Sequence, residues 1–293
     1  MLRDLKYFFL ISRPFNLLIA WVSFAVACFI AQYQRLAFLE DGKFWATSLT
    51  IVGIAAAGYW INDVYDFRID RINKPGRTVV NAILSVKKVM TVYFVFNGLI
   101  LLSSAAYLTY YHHQLAISFI NVLSVMLLFV YASYLKRVSV AGNLVIAFLI
   151  ALVIILAGYL YGWNVPLAWT IIFAFQITFI REVTKDVEDM PGDLRYNLHT
   201  LPIQVGIRRT KWILLFLYLT FLVTCYLPFF LKYFRTGEYL YSYLLLSVLL
   251  VQAPVLYLIS LLKKAFRPRD FTAQSRYLKY LMLTGILTLL FLH

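Results

Sequence analysis

Nine long apolar segments limit what this sequence can fold into. Each has about 17 to 24 residues, enough for a tilted helix to cross a hydrocarbon core of about 30 Å. With 62% hydrophobic and 14% charged residues, the 293-residue chain is too apolar for a soluble domain. The sequence therefore predicts an all-α polytopic membrane protein with one domain, residues 1–293. The predicted transmembrane helices lie at about 15–38, 44–62, 88–110, 114–133, 141–161, 165–181, 211–231, 240–262 and 276–292.

The positively charged residues fall on alternate sides of these segments. Of the 27 Lys and Arg residues, all but Arg35, Lys43, Lys232 and Arg235 lie at the N-terminus or after even-numbered segments. Because cytoplasmic loops carry an excess of Lys and Arg, this distribution predicts a cytoplasmic N-terminus. It also accounts for the net charge of +14, so no nucleic-acid partner is predicted.

Two segments at this predicted cytoplasmic face concentrate the acidic residues. They read Asp63-Val-Tyr-Asp66-Phe-Arg-Ile-Asp70 and Asp186-Val-Glu-Asp189-Met-Pro-Gly-Asp193. Aspartates spaced three and then four residues apart stack on one face of a helix. At about 6 Å and an effective dielectric of about 20, two such charges repel by roughly 3 kcal/mol. Because bound cations would offset this repulsion, we predict that both segments bind cations.

Basic residues accompany both acidic segments, which we place in functional loops of about 62–87 and 182–210. They are Arg68, Arg71, Lys74 and Arg77 near the first segment, and Arg181, Lys185, Arg195, Arg208 and Arg209 near the second. Magnesium prefers oxygen ligands, commonly one or two carboxylates together with substrate phosphates. Acidic and basic groups in both loops therefore indicate a polyanion bridged by metal, and a diphosphate fits best.

These motifs make the chain resemble a known family. The first reads Asn62-Asp63-Val-Tyr-Asp66-Phe-Arg-Ile-Asp70, and the second reads Asp189-Met-Pro-Gly192-Asp193, with Thr200-Leu-Pro202 downstream. Together with Arg13-Pro14-Phe-Asn16, they resemble the UbiA superfamily of intramembrane prenyltransferases over almost the whole chain. The resemblance implies nine transmembrane helices around a central cavity. It also implies that a prenyl group is transferred from its diphosphate with Mg²⁺, or alternatively Mn²⁺, as cofactor.

The resemblance also implies roles for individual residues. Metal binding is implied for Asn62, Asp63, Asp66, Asp70, Asp186, Asp189 and Asp193. Catalytic roles are implied for Asp66, Asp70, Asp189, Asp193, Lys136 and Tyr131, the last because an aromatic face attracts a developing carbocation. Substrate contacts are implied for Arg13, Asn16, Arg71, Lys74, Arg77, Arg137, Arg181 and Lys185.

The acceptor is predicted from two further stretches, 69–75 and 131–143. They are similar to the branch of the family that prenylates a glycerol-phosphate ether lipid, which favours a geranylgeranyl donor and a prenylglyceryl phosphate acceptor. Two departures from the family pattern touch the acceptor side. Thr78-Val79-Val80-Asn81-Ala82 replaces the usual Pro and Ser-Gly pair, and one extra residue separates Tyr131 from Lys136.

Three alternatives stay open at the level of sequence. The acceptor could be an aromatic compound of a quinone or pigment pathway, or the protein could be a terpene cyclase of the same superfamily. A cation-coupled transporter is the alternative outside the family, although its charges would lie mid-span and not at the cytoplasmic ends of helices. Membrane lipids complete the predicted partners, and the oligomeric state is not predicted.

Overall fold

A computed structural model of the chain describes residues 2–73, 75–76 and 78–292, and these are predominantly helical. Its helices are α1 (Leu2–Ile11), α2 (Pro14–Ala31), α3 (Gly42–Asn73), α4 (Val86–Ser104), α5 (Leu115–Ser133), α6 (Ala141–Tyr161), α7 (Val165–Arg195), α8 (Leu201–Thr236), α9 (Tyr241–Ser247), α10 (Ala253–Lys264) and α11 (Asp270–Leu289). Short 3₁₀ segments lie at Leu36–Glu40 and Leu135–Arg137, and π-helical segments at Ala105–Tyr111 and Val248–Gln252. Apart from isolated bridge residues, the described residues form no β-structure, which confirms the all-α class.

Eight helical segments of the described chain are long and apolar enough to cross a membrane. They include α2 to α8, with α4 extended by its π-helical turn, and a segment from Tyr241 to Lys264 that joins α9 and α10. The ninth predicted span overlaps α11, whose first half carries Asp270, Arg276 and Lys279 and is therefore less apolar. The predicted and observed numbers of spans differ only by this helix.

The first compact unit of the chain extends to Val138 and includes Ile155–Gly162. Helix α3 is its centre, because α4 and α5 both pack along it. A Cβ at Gly58 would lie 2.9 Å from a methyl carbon of Leu128 in α5, so a larger residue there would require the Leu128 side chain to move. Tyr93 of α4 and Trp60 of α3 are buried in the same core.

The second compact unit contains Ser139–Ile154 and the described residues from Trp163 onward. Helix α7 packs against both α8 and α11 in this unit. Its core includes Val183 of α7, Tyr218 of α8 and Phe271 of α11. The second acidic segment therefore lies on a helix that is supported from two sides.

Three helices extend ten or more residues beyond the predicted spans, and two of them carry the acidic segments. Helix α3 continues to Asn73 and α7 continues to Arg195, so both acidic segments are helical, as the aspartate spacing indicates, and the loops predicted from 62 and 182 begin later. Helix α8 starts at Leu201, before the predicted 211, and is kinked at Gly206 (φ 80°). The predicted boundaries were wrong because hydropathy marks the part of a helix inside the bilayer, whereas the hydrogen-bonded helix continues into water.

Candidate active site

Asp66 is the centre of the first acidic segment. Its carboxylate lies one helical turn from Asn62, whose Nδ2 donates a hydrogen bond to Asp66 Oδ2 at 2.6 Å. The Lys136 ammonium, in the 3₁₀ segment after α5, donates to the same oxygen and forms an ion pair with it. The side chains of Asp66 and Lys136 are only 5% and 17% exposed. This is a buried charge pair, and a buried carboxylate requires a cation beside it.

Asp63 points to a different partner, Arg13, which directly precedes α2. The Arg13 guanidinium donates to Asp63 Oδ1 at 2.6 Å and lies 4.7 Å from the centroid of the Tyr59 ring. Burial alone would lower the pKa of Arg13, but Asp63 and the neighbouring acidic groups raise it above its usual value. Arg13 also adopts a left-handed backbone conformation with φ 54°, which is uncommon for a residue with a side chain. The structure therefore joins a predicted metal ligand to a predicted substrate contact.

The remaining predicted residues of the first unit lie near the start of α2 and near the ends of α3 and α5. Arg71 is exposed and lies 5.8 Å from the centroid of the Phe67 ring, and Arg137 is also exposed. Tyr131 is half-buried at the edge of the core that contains Trp60. The Asn16 side-chain oxygen is buried and has no hydrogen-bond partner among the described residues. Two predicted residues, Lys74 and Arg77, lie outside the described residues.

The second acidic segment forms the last turns of α7. Asp186 accepts a hydrogen bond of 2.8 Å from Asn143 Nδ2 near the start of α6. Arg181, predicted as a substrate contact, donates to the neighbouring Glu182 at 2.6 Å. Asp193 is buried, whereas Lys185 and Asp189 are half-buried. Pro191 lies inside the helix, where it removes one backbone N–H donor just before the last aspartate.

Two partners of the second segment were not identified as site residues from the sequence. Asn143 belongs to the stretch 131–143 that resembles the family, whereas no sequence pattern indicates Ser275 of α11. The Ser275 hydroxyl donates to Glu188 Oε2 at 2.6 Å, next to Asp189. An asparagine near the start of the apolar helix α6 was a usable signal. A serine 87 positions away in sequence gave none.

The donor set of the first segment fits magnesium, although it is not a complete binding site. Within the described residues, no three His, Cys, Asp or Glu side chains are grouped so that they could hold a metal ion. One reason for the incomplete site is the ion pair between Arg13 and Asp63, because it orients a predicted metal ligand toward a cation of the protein. Asn62, Asp66 and Asp70 then share one helix face by their spacing of four residues, and all three offer oxygen. Magnesium commonly takes its other ligands from water and substrate phosphates, so the seven predicted ligands stay a prediction.

Comparison with known proteins gives a family match over most of the chain. The model of the UbiA prenyltransferase family matches residues 19–280, which include both acidic segments. Proteins named digeranylgeranylglyceryl phosphate synthase are among the similar sequences. The one from Methanoregula boonei is 34% identical over 70% of this chain and 71% of its own. The one from Methanococcus maripaludis strain S2 is 28% identical over 99% of this chain and 98% of its own.

Solved structures give the same result for the fold. A structure described as digeranylgeranylglyceryl phosphate synthase in membranes is 25% identical and covers 98% of both chains, with a TM-score of 0.71. A UbiA homologue from Archaeoglobus fulgidus, bound to GPP and Mg²⁺, has a TM-score of 0.64 at 17% identity. It covers 96% of this chain and 99% of its own, and at that identity the likeness concerns the fold alone.

Proposed function

The chain belongs to the UbiA prenyltransferase family and is an integral membrane prenyltransferase, and we propose that its substrates are geranylgeranyl diphosphate and a prenylglyceryl phosphate. One observation carries the reaction chemistry: the buried carboxylate of Asp66 beside the Lys136 ammonium, at the polar end of a long apolar helix. The acceptor is supported by full-length similarity to proteins named digeranylgeranylglyceryl phosphate synthase.

The proposed reaction forms an ether bond. The bond between the allylic carbon and the diphosphate oxygen breaks, and its electron pair leaves with inorganic diphosphate. The acceptor hydroxyl oxygen then bonds to the allylic carbon and releases its proton to water. Bound Mg²⁺, or Mn²⁺ in its place, would neutralise the leaving diphosphate. Its protein ligands would be the predicted oxygen donors Asn62, Asp66, Asp70, Asp189 and Asp193, and the contact of Asp186 with Asn143 would support the end of α7 that carries Asp189 and Asp193.

The chain's own cations would bind the donor substrate. We assign Lys136 and Lys185 to the outer phosphate oxygens, with Arg77 as a third contact. Lys136 is the best supported of these, because it already lies against a predicted metal ligand. Arg13 would support the site indirectly by fixing Asp63. Tyr131, five positions before Lys136, would stabilise the developing carbocation through its ring face.

The acceptor phosphate would need a second group of cations. Arg71, Lys74, Arg137 and Arg195 provide more positive charge than one diphosphate requires. Arg71 and Arg137 are exposed in the structure, so an incoming anion can reach their guanidinium groups. A guanidinium matches phosphate with two parallel hydrogen bonds, whereas an uncharged phenol needs none of these groups.

A product assay with purified full-length protein in lipid nanodiscs tests this proposal. With Mg²⁺ and geranylgeranyl diphosphate, we expect mass spectrometry to detect a doubly prenylated glyceryl phosphate when geranylgeranylglyceryl phosphate is supplied. EDTA should abolish turnover, and full activity in EDTA would contradict the metal-dependent reaction. Prenylation of 4-hydroxybenzoate or homogentisate, with none of the glyceryl phosphate, would refute the acceptor. A cyclic hydrocarbon formed without any acceptor would replace transfer with cyclisation.

A further inference from the structure

Lys136 and a metal ion would require the same oxygen of Asp66. Asp66 Oδ2 accepts hydrogen bonds from both the Lys136 ammonium and Asn62 Nδ2. With a side chain only 5% exposed, Asp66 has little access to solvent that could screen a second positive charge. A divalent ion bound to this oxygen would lie beside the ammonium, and two cations at that distance repel each other strongly in a buried site. The Lys136 ammonium and a divalent ion would therefore compete for Asp66 Oδ2.

We propose that Lys136 is an exchangeable counterion of Asp66. Its ammonium compensates the buried carboxylate until a divalent ion takes Oδ2, and the displaced ammonium then binds a phosphate oxygen of the substrate. This inference rests on the proposed function, since it assumes that Asp66 is a metal ligand. The position of Lys136 suits such an exchange, because a flexible four-carbon stem carries the charge from a short 3₁₀ segment and not from a rigid helix.

The exchange predicts that metal and diphosphate bind cooperatively. In the absence of a diphosphate, an incoming ion must displace the ammonium from Asp66 Oδ2, and there is no phosphate oxygen for the ammonium to bind. A bound diphosphate accepts both the ion and the ammonium, so it removes the competition. The affinity for a divalent ion should therefore be low without diphosphate and higher with it. By reciprocity, the ion should raise the affinity for diphosphate by the same factor.

Direct measurement of Mn²⁺ binding to the purified full-length protein tests this without relying on turnover. Electron paramagnetic resonance reports free Mn²⁺ in titrations of wild type, Lys136→Met and Lys136→Arg. Without diphosphate, Lys136→Met should bind Mn²⁺ about 5-fold to 150-fold more tightly than wild type, the usual range for coupled ligands. Lys136→Arg keeps a cation at Asp66 and should stay close to wild type. Arg137→Met is the matched control, because it removes one positive charge from the neighbouring exposed side chain.

A second titration in the presence of inorganic diphosphate checks the cooperativity. Wild-type affinity for Mn²⁺ should rise, and the advantage of Lys136→Met over wild type should shrink. Thermal unfolding gives an independent measurement: Lys136→Met should melt lower in EDTA and recover with Mg²⁺, whereas wild type should change little. If Lys136→Met proves too unstable to purify, Lys136→Gln keeps a hydrogen-bond donor for Asp66 and should show a smaller gain in affinity.

The outcomes separate this inference from the proposed function. Equal Mn²⁺ affinity in wild type and Lys136→Met, or an equal gain in Arg137→Met, would overturn the exchange and leave the metal site standing. Failure of all variants to bind Mn²⁺, even with diphosphate, would overturn the metal site itself. Adding Asp66→Asn to Lys136→Met should abolish the tighter binding, and its persistence would show that the ion is bound elsewhere.

Discussion

At the scale of single residues, Asp66 is a buried member of an ion pair and a proposed metal ligand. Because its carboxylate and the Lys136 ammonium are both mostly buried, removing either one takes away the partner of the other in this ion pair. Breaking such a pair by removing one partner costs about 3–5 kcal/mol, whereas removing both partners costs much less. The functions of Asp66 in stability and in turnover can therefore be separated by a double substitution.

We predict that Asp66→Asn lowers both thermal stability and turnover, the latter by orders of magnitude, as expected for a metal ligand. Asp66→Asn combined with Lys136→Met should regain most of the lost stability and none of the activity. Thermal unfolding and initial rates of product formation measure the two effects. If the double variant were as unstable as Asp66→Asn alone, the broken ion pair would not be the cause of the lost thermal stability.

The acceptor site gives a second prediction at this scale. Arg137→Gln should raise KM for the glyceryl phosphate and leave KM for geranylgeranyl diphosphate nearly unchanged, because the exposed guanidinium is assigned to the acceptor phosphate. Steady-state kinetics with each substrate varied in turn measures this. Arg269→Gln removes a charge from an exposed residue outside the proposed site and serves as the control. A change confined to membrane insertion would instead favour a purely topological role for Arg137.

The sequence predicted the helical placement of the acidic residues better than it predicted their partners. The spacing of Asp63, Asp66 and Asp70 correctly indicated a helix, and the structure extends α3 through all three. Spacing could not show that Asp63 binds Arg13, because that contact joins residues 50 positions apart. Ser275 and Glu188 are separated by 87 positions, and such a pair depends on how α11 packs against α7.

At the scale of helices, α11 supports the second acidic segment. Ser275 and Glu188 connect the first half of α11 to the last turns of α7, where Asp189 follows directly. Residues that orient metal-binding groups typically change metal affinity or activity by about 10-fold to 100-fold when they are replaced. Because Ser275 acts through Glu188 and not on the ion itself, we expect an effect near the lower end.

We therefore predict that Ser275→Ala raises the Mg²⁺ concentration required for half-maximal activity by about tenfold. Ser275→Thr retains the hydroxyl and should restore most of the wild-type dependence. The matched control is Ser260→Ala in α10, an exposed serine whose hydroxyl donates to the backbone oxygen of Tyr257. Mg²⁺ titrations of initial rates measure the effect. An equal shift in Ser260→Ala would assign it to general destabilisation of the second unit.

Helix α1 is held in the first unit by an ion pair and by the burial of Phe8 and Ile11 in the core of that unit. Lys88 donates to Asp4 at the polar edge, and the Phe8 ring lies 5.2 Å from the Trp60 ring in an edge-on arrangement. The hydrogen bond from Lys88 lowers the pKa of Asp4 below its ordinary value of 3.8. The ion pair therefore contributes above that value and is lost as the pH falls through the lowered pKa.

Hydrogen exchange measured over α1 tests this attachment. At pH 6, Asp4→Asn should exchange faster in α1 than wild type, because the helix has lost its ion pair with Lys88. At a pH below the lowered pKa of Asp4, the two proteins should exchange alike, since the Asp4 carboxyl of the wild type is then protonated and as uncharged as the asparagine of the variant. Lys87→Gln, a change in the exposed neighbour of Lys88, is the control and should leave α1 exchange unchanged. A difference that persisted at low pH would show that α1 is held by other contacts.

At the scale of the whole molecule, hydropathy predicted the class of fold and nearly all of the spans. It failed where a helix is mixed in character: α11 is apolar only in its second half, and α3 and α7 leave the apolar region before they end. Helix ends are determined by local hydrogen bonding and side-chain partners, which a hydropathy average does not contain. Charge asymmetry between loops is independent of those ends, so it remains the best guide to orientation.

The last prediction concerns that orientation. The Lys and Arg distribution places Arg269 on the cytoplasmic side and Glu238, between α8 and α9, on the opposite side. Both side chains are exposed, whereas the native thiols Cys28 and Cys225 are buried and should react little. In intact cells, a membrane-impermeant maleimide should label Glu238→Cys and spare Arg269→Cys until the membrane is permeabilised. The reverse pattern would place the acidic segments on the outer face and contradict a cytoplasmic supply of the diphosphate substrate. Equal labelling of both variants in intact cells would contradict the predicted placement of these two loops on opposite sides.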